Sequence, residues 1–167
     1  TIMNKNIEII AMIYKSVDYL NLISKQLKSD TLEVDGWSVG TRIVANDATK
    51  EVLQRLSELD IPYSIYNDPK PEDFYLNRVY RCWNYGGRTS TYDNICFVNS
   101  DMAFSKGWLA NLLKHHNGKN MPCSRLVESG RIPVATERHG ISKNFGASPK
   151  DFNQIAFENF VEEVKED

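Results

Sequence analysis

The stretch "IEIIAMIYKS", Ile7 to Ser16, decides the fold. Apart from Glu8 it is apolar through Tyr14, it is short, and it stops at a polar Lys15-Ser16. A strand covered on both faces reads this way, whereas a strand covered on one face alternates. Ser16 is a good helix N-cap, and Leu20, Ile23 and Leu27 follow it at helical spacing. The opening unit is therefore a buried strand, a polar exit and an amphipathic helix.

The same unit recurs along the chain. Gly36 and Gly40 punctuate the way into a strand over Thr41 to Ala45, which exits at Asn46-Asp47. Thr49 then caps a helix with Val52, Leu53, Leu56 and Leu59 on one face, and Pro62 breaks it. Tyr63 to Tyr66 reads as a third strand, and "NDPKPED" (67–73) as a loop. A helix over Phe74 to Tyr85 carries Leu76, Val79, Tyr80 and Trp83, with Gly86-Gly87 as its stop. A fourth strand, Ile95 to Val98, exits at Asn99-Ser100-Asp101. Ser105 caps the next helix, with Trp108, Leu109, Leu112 and Leu113 inward. Four such alternations predict an α/β domain with a mainly parallel sheet.

After Asn117 the pattern changes. Short extended runs around Ser129-Gly130 read as a hairpin or two irregular strands. Ser148-Pro149-Lys150-Asp151 reads as the start of a last helix burying Phe152, Ile155, Ala156 and Phe160. The expected organisation is one domain over 1–167. Its strand–helix part runs to about 117, and a hairpin or loop with the C-terminal helix spans 118–167.

Bulk properties narrow the function. The chain has 167 residues, 41% hydrophobic and 25% charged, with a net charge of −2. One domain with a sizeable core fits that length, and binding to nucleic acid through a broad basic surface does not fit that charge. No apolar run approaches the roughly 18 to 20 residues that span a bilayer. The N-terminus reads as a first strand and not a signal peptide. Cys82, Cys96 and Cys123 form no metal or disulfide spacing, so a reducing, cytoplasmic setting is expected.

In open parallel sheets ligands sit beyond the carboxyl ends of the strands. Tyr14-Lys15-Ser16, Asn46-Asp47 and Asn99-Ser100-Asp101 all carry that address. Asn, Ser and Asp are also common turn and cap formers, and it is the three clusters together that point to a site.

The string from Asn84 to Asp101 resembles the pattern of inverting family 2 glycosyltransferases. That pattern runs Asn-x-Gly, a small residue, a hydrophobic strand and then Asp-x-Asp. Asn84, Gly86, Ser90, Phe97, Asn99 and Asp101 stand in those places. Tyr14 after the first strand, Asp47 after the second, and Trp108-Leu109 extend the likeness over most of the chain. The resemblance implies a GT-A-like (Rossmann-like) three-layer α/β/α fold. It also implies metal-dependent transfer of a sugar from a nucleotide-diphospho-sugar, a UDP-sugar, to a hydroxyl of an unknown saccharide or other acceptor, with inversion.

By that likeness Asp101, with Asn99, holds Mn²⁺ or Mg²⁺, a hard cation suited to oxygen ligands and a diphosphate leaving group. Tyr14 and Asp47 take the nucleoside, with Asn84 part of the cofactor-binding set. Asn99 replaces the usual first Asp of the motif and carries no charge. No residue stands clearly in the place of the general base. Glu137 and His139 are the candidates, with Glu128 beside them. Arg78 and Arg81 read as solvated helix residues ahead of phosphate ligands. The chain is shorter than a complete catalytic domain of that family, and reads as a minimal member or the nucleotide-binding part of a longer protein. Two alternatives are a non-catalytic nucleotide-sugar-binding module with a degenerate site, and a nucleotidyltransferase. The latter wants a Gly-rich phosphate loop that Tyr14-Lys15-Ser16 does not supply.

Overall fold

A computed structural model describes residues 3–28, 32–129 and 140–165. They form two compact units, Thr1–Met102 and Ala103–Asp167.

The first unit follows the repeated strand–helix pattern. Its elements are β1 (Asn6–Ile13), α1 (Val17–Leu27), β2 (Ser38–Asn46), α2 (Lys50–Glu58), β3 (Tyr63–Tyr66), α3 (Tyr75–Arg88) and β4 (Asn94–Asn99). The strands lie in the order β3-β2-β1-β4, and every pairing is parallel. The expected caps form: Ser16 Oγ accepts from Tyr19 N and Thr49 Oγ1 from Val52 N. Asn6 to Ile13 is buried on both sides of the pleat, as its unbroken apolar run predicts. Ile10 and Val44 on one side pack with Cys82 of α3. Ile9, Ala11, Ile43 and Ala45 point the other way, fully or almost fully buried, and α1 contacts β1 and α2 on that side.

Glu8 is the one charge in that strand, and the structure explains it. Arg42 on β2 donates from Nε and Nη2 to Glu8 Oε1, at 3.2 and 2.8 Å. Nη2 also donates to Gly86 O at 2.7 Å. Nη1 donates to Ser64 Oγ at 3.1 Å and to Thr89 Oγ1 at 2.8 Å. Every guanidinium N–H is therefore used, and both residues are 8% exposed.

Gly86-Gly87 does not stop α3, which runs through both to Arg88. A Cβ at Gly86 would stand 3.2 Å from Ile10 Cγ2, so this glycine sets the close approach of helix to sheet. Gly40 likewise belongs to β2 and not to the turn before it. The Tyr92 hydroxyl occupies the space a Cβ there would need.

The second unit holds α4 (Trp108–Lys114), β5 (Leu126–Glu128), β6 (Gly140–Ser142) and α5 (Gln154–Val164). It begins at Ala103. Trp108 stacks on Phe104 at 4.3 Å, Gln154 Nε2 donates to Phe104 O, and Glu158 accepts from Lys106 N, which joins the start of α4 to α5. The expected hairpin is corrected: β5 and β6 pair in parallel, Leu126 with Gly140. A parallel pair needs a crossover, which no tight turn at Ser129 can make. Ser148 does not cap α5 either. Its hydroxyl donates to the Asp151 carboxylate within a separate turn, and Asn153 caps the helix by accepting from Ala156 N. Ile155 is exposed, and Phe157 is buried with Phe160.

Arg42→Ala strands the Glu8 carboxylate and the Gly86 carbonyl in the interior. It should lower the unfolding free energy by about 3–5 kcal/mol, read as a fall in the urea midpoint. Burial pushes the Cys82 thiol up to about 12, with the Asp47 charge adding to the shift. The unfolded chain ionises this thiol first, near the usual 9.0, so stability should fall as pH rises through that window. At pH 8 a thiol reagent should label exposed Cys123 and spare Cys82 until the protein unfolds.

Candidate functional site

The strand order places the polar exits of β2, β1 and β4 side by side at one edge. Met12 pairs with Asn99, so Tyr14 and Asp101 each lie two residues beyond that last pair. Ala45 pairs with Ile13 and Asn46 with Tyr66, so Asn46 continues the same edge. Residues that the sequence scatters over almost ninety positions thus leave the sheet together.

Asn46 is 5% exposed. Its Nδ2 donates to Arg78 O at 3.4 Å and contacts Met12 Sδ at 3.5 Å, while its buried Oδ1 has no hydrogen-bond partner. Asp47 follows at φ 46, in the left-handed region that costs a non-glycine residue about 1–2 kcal/mol. Its backbone N donates to Tyr66 O, and its Oδ1 accepts from Asp68 N, both at 2.9 Å. The second oxygen, Oδ2, is buried without a hydrogen-bond partner among the described residues. Two adjacent acceptors with no donor, on a strained backbone, are an arrangement found at ligand sites.

The loop after β3 closes against α3. Arg81 lies 3.2 Å from Asp68 Oδ2 and 2.5 Å from Asp73 Oδ2, contacts made as ion pairs rather than aligned hydrogen bonds. Lys70 also reaches Asp68, at 3.3 Å. Tyr66 donates to Asp68 and lies 5.0 Å from the Tyr85 ring. Burial first, and then the Asp68 charge, push its phenol up.

Tyr14 is 37% exposed at the exit of β1. Lys15 Nζ is 4.7 Å and Arg78 Cζ 5.5 Å from its ring centre, and Arg78 Nη1 donates to its hydroxyl at 3.4 Å. The hydrogen bond from Lys15 draws the phenol pKa down, and Arg78 adds to this against the effect of burial.

Asn99 and Asp101 are exposed. Among the described residues no three His, Cys, Asp or Glu side chains converge as a metal cluster. Asp101 offers one carboxylate, with the Asn99 amide two residues before it in the chain. That donor set suits Mg²⁺ or Mn²⁺, which take one or two carboxylates and complete their shell with phosphate and water oxygens. Asn84 is exposed on α3, six residues beyond Arg78, and no hydrogen bond joins it to the strand exits. Glu137 and His139 lie outside the described residues. Glu128 is exposed on β5 in the second unit. A cavity of about 770 Å³ lined by Leu27, Leu32, Trp37 and Val39 opens at the opposite, amino ends of the strands, away from these groups.

Tyr14, Asp47 and Asp101 were singled out from the sequence, and the structure sets Arg78 beside Tyr14 and the Asn46 amide beside Arg78 O. Nothing in their local pattern separates them from a solvated helix arginine and a turn asparagine. No protein-family model matches the sequence, and no curated protein matches it.

Asp47→Gly relieves the positive φ while losing the acceptor for Asp68 N, so its stability should stay within about 1 kcal/mol of wild type. Asp47→Val adds a β-branched clash at the same φ and should cost roughly 1–2 kcal/mol more, measured by chemical denaturation.

Proposed function

We propose that the chain is a GT-A-like domain that binds a nucleotide-diphospho-sugar, a UDP-sugar, and transfers the sugar to an acceptor hydroxyl with inversion. The observation that carries this reading is the unpartnered acceptor of Asp47, on the same sheet edge as exposed Asp101. A uracil N–H is the kind of donor that buried Oδ2 lacks, and the exposed Tyr14 ring offers a face for the base.

Asp101, with Asn99, would hold the divalent cation, which when bound neutralises charge developing on the diphosphate leaving group. In the transfer, the acceptor oxygen bonds to the anomeric carbon, the bond to the diphosphate oxygen breaks on the opposite face, and a base takes the hydroxyl proton. Glu137 and His139 stay the candidates for that base. The strained Asp47 turn and the ion-paired loop at Asp68 would hold the nucleoside in place before reaction, lowering the entropy cost of orientation.

A second reading, a binding module without activity, draws on the neutral Asn99 in the motif and on the lack of an assigned base. The nucleotidyltransferase remains a weaker alternative, because β1 exits into Tyr14-Lys15-Ser16 and not a glycine-rich loop.

Calorimetry with UDP should show binding strengthened by Mn²⁺, and Asp101→Ala should remove about tenfold or more of that gain, 1.4 kcal/mol or more. UDP binding with no metal dependence would sink the transferase reading. Metal-dependent UDP binding without hydrolysis or transfer of UDP-sugars would select the binding module.

A further inference from the structure

Arg78 and Arg81 sit three residues apart on α3, and their surroundings differ in kind. Arg81 is matched by Asp68 and Asp73, and Lys70 by Asp68. Among the described residues no carboxylate lies within ion-pair distance of Arg78 or of Lys15. Both lean on one ring instead, inside the roughly 6 Å at which a ring face attracts a cation. A ring quadrupole and a phenol oxygen hold such a cation in place but do not neutralise it. Two uncompensated positive charges are therefore fixed at the exit of β1, where mutual repulsion would be relieved by an anion. α1 begins at Val17, two residues past Lys15, and its eleven residues direct a positive helix end to the same place.

We propose that Lys15 and Arg78, steadied by the Tyr14 ring, form an anion site that takes the phosphate groups of a nucleoside diphosphate and does so without a divalent cation. Arg78 supplies a planar fork suited to two phosphate oxygens, and Lys15 supplies a compact point charge. The site lies at the exit of β1 and does not use Asp101. In assigning the phosphates to a nucleotide it rests on the functional reading above. Its positive charge would also serve the diphosphate where the neutral Asn99 weakens the hold on a cation.

The test is calorimetry with inorganic pyrophosphate in EDTA, followed by UDP with and without Mn²⁺. Wild type should bind pyrophosphate in EDTA. Lys15→Gln and Arg78→Gln should each weaken it about tenfold, the size of a lost charge-assisted contact, and the pair should abolish it. Arg78→Lys should keep part of the affinity, and unchanged melting curves would show that the variants fold. Lys25→Gln, an exposed lysine at the far end of α1, should bind as wild type. Pyrophosphate binding that requires Mn²⁺ would overturn the proposal, as would an equal loss in Lys25→Gln and Arg78→Gln. If pyrophosphate binds as expected while UDP binds no tighter, the uridine-nucleotide reading fails and the anion site stands. If UDP binds with Mn²⁺ while pyrophosphate in EDTA does not, the anion site fails and that reading stands.

Discussion

A guanidinium placed inside a parallel sheet is tolerable only when each of its donors finds an acceptor, and Arg42 meets that condition. Its partners come from β1, from β3, and from the last turn of α3 through Gly86 O and Thr89 Oγ1. One side chain therefore sets the height and angle of α3 over three strands. Gly86, with no side chain between the helix and Ile10, permits that height. Because α3 is fixed at its carboxyl end, its amino-terminal half brings Arg78 to Tyr14 and Arg81 to Asp68. The geometry of the strand exits depends on a contact well inside the sheet.

The two ends of that sheet face differ in how their polar groups are satisfied. Around Arg42 polar groups are paired and the backbone is regular. At the exits Asn46 Oδ1 and Asp47 Oδ2 lack hydrogen-bond partners, Asp47 sits at a positive φ, and Arg78 and Lys15 carry charge that no described carboxylate balances. Burial without satisfaction is unfavourable, so these features persist only because the surrounding fold over-determines them. The acceptors and the cations also differ in kind. One set seeks N–H donors and the other seeks an anion, as a base and its phosphates would supply.

Much of the first unit was legible in the amino-acid order. The apolar run from Ile7 and the caps at Ser16 and Thr49 act within a few residues of themselves, and each behaved as local chemistry predicts. Failures came where a residue answers to a distant partner. Gly86-Gly87 has the look of a helix stop, yet Ile10 and Arg42 hold it within the helix. Ser148-Pro149 looks like a helix start, yet Asp151 takes the hydroxyl. The runs near Ser129 read as a hairpin or two irregular strands, and the parallel pairing of Leu126 with Gly140 rules out the hairpin.

By itself the sequence determined the alternation of strand and helix, the parallel sheet, and the polar character of three strand exits, since period, capping and burial are near-neighbour properties. Only the tertiary structure decided that β1 lies between β2 and β4, which brings Tyr14, Asn46 and Asp101 to one edge. It also decided which charges are matched. Arg78 and Arg81 are equivalent in sequence, and the loop that folds back after β3 reaches only one of them. Charge compensation is a matter of distance in space, and no spacing along the chain encodes it.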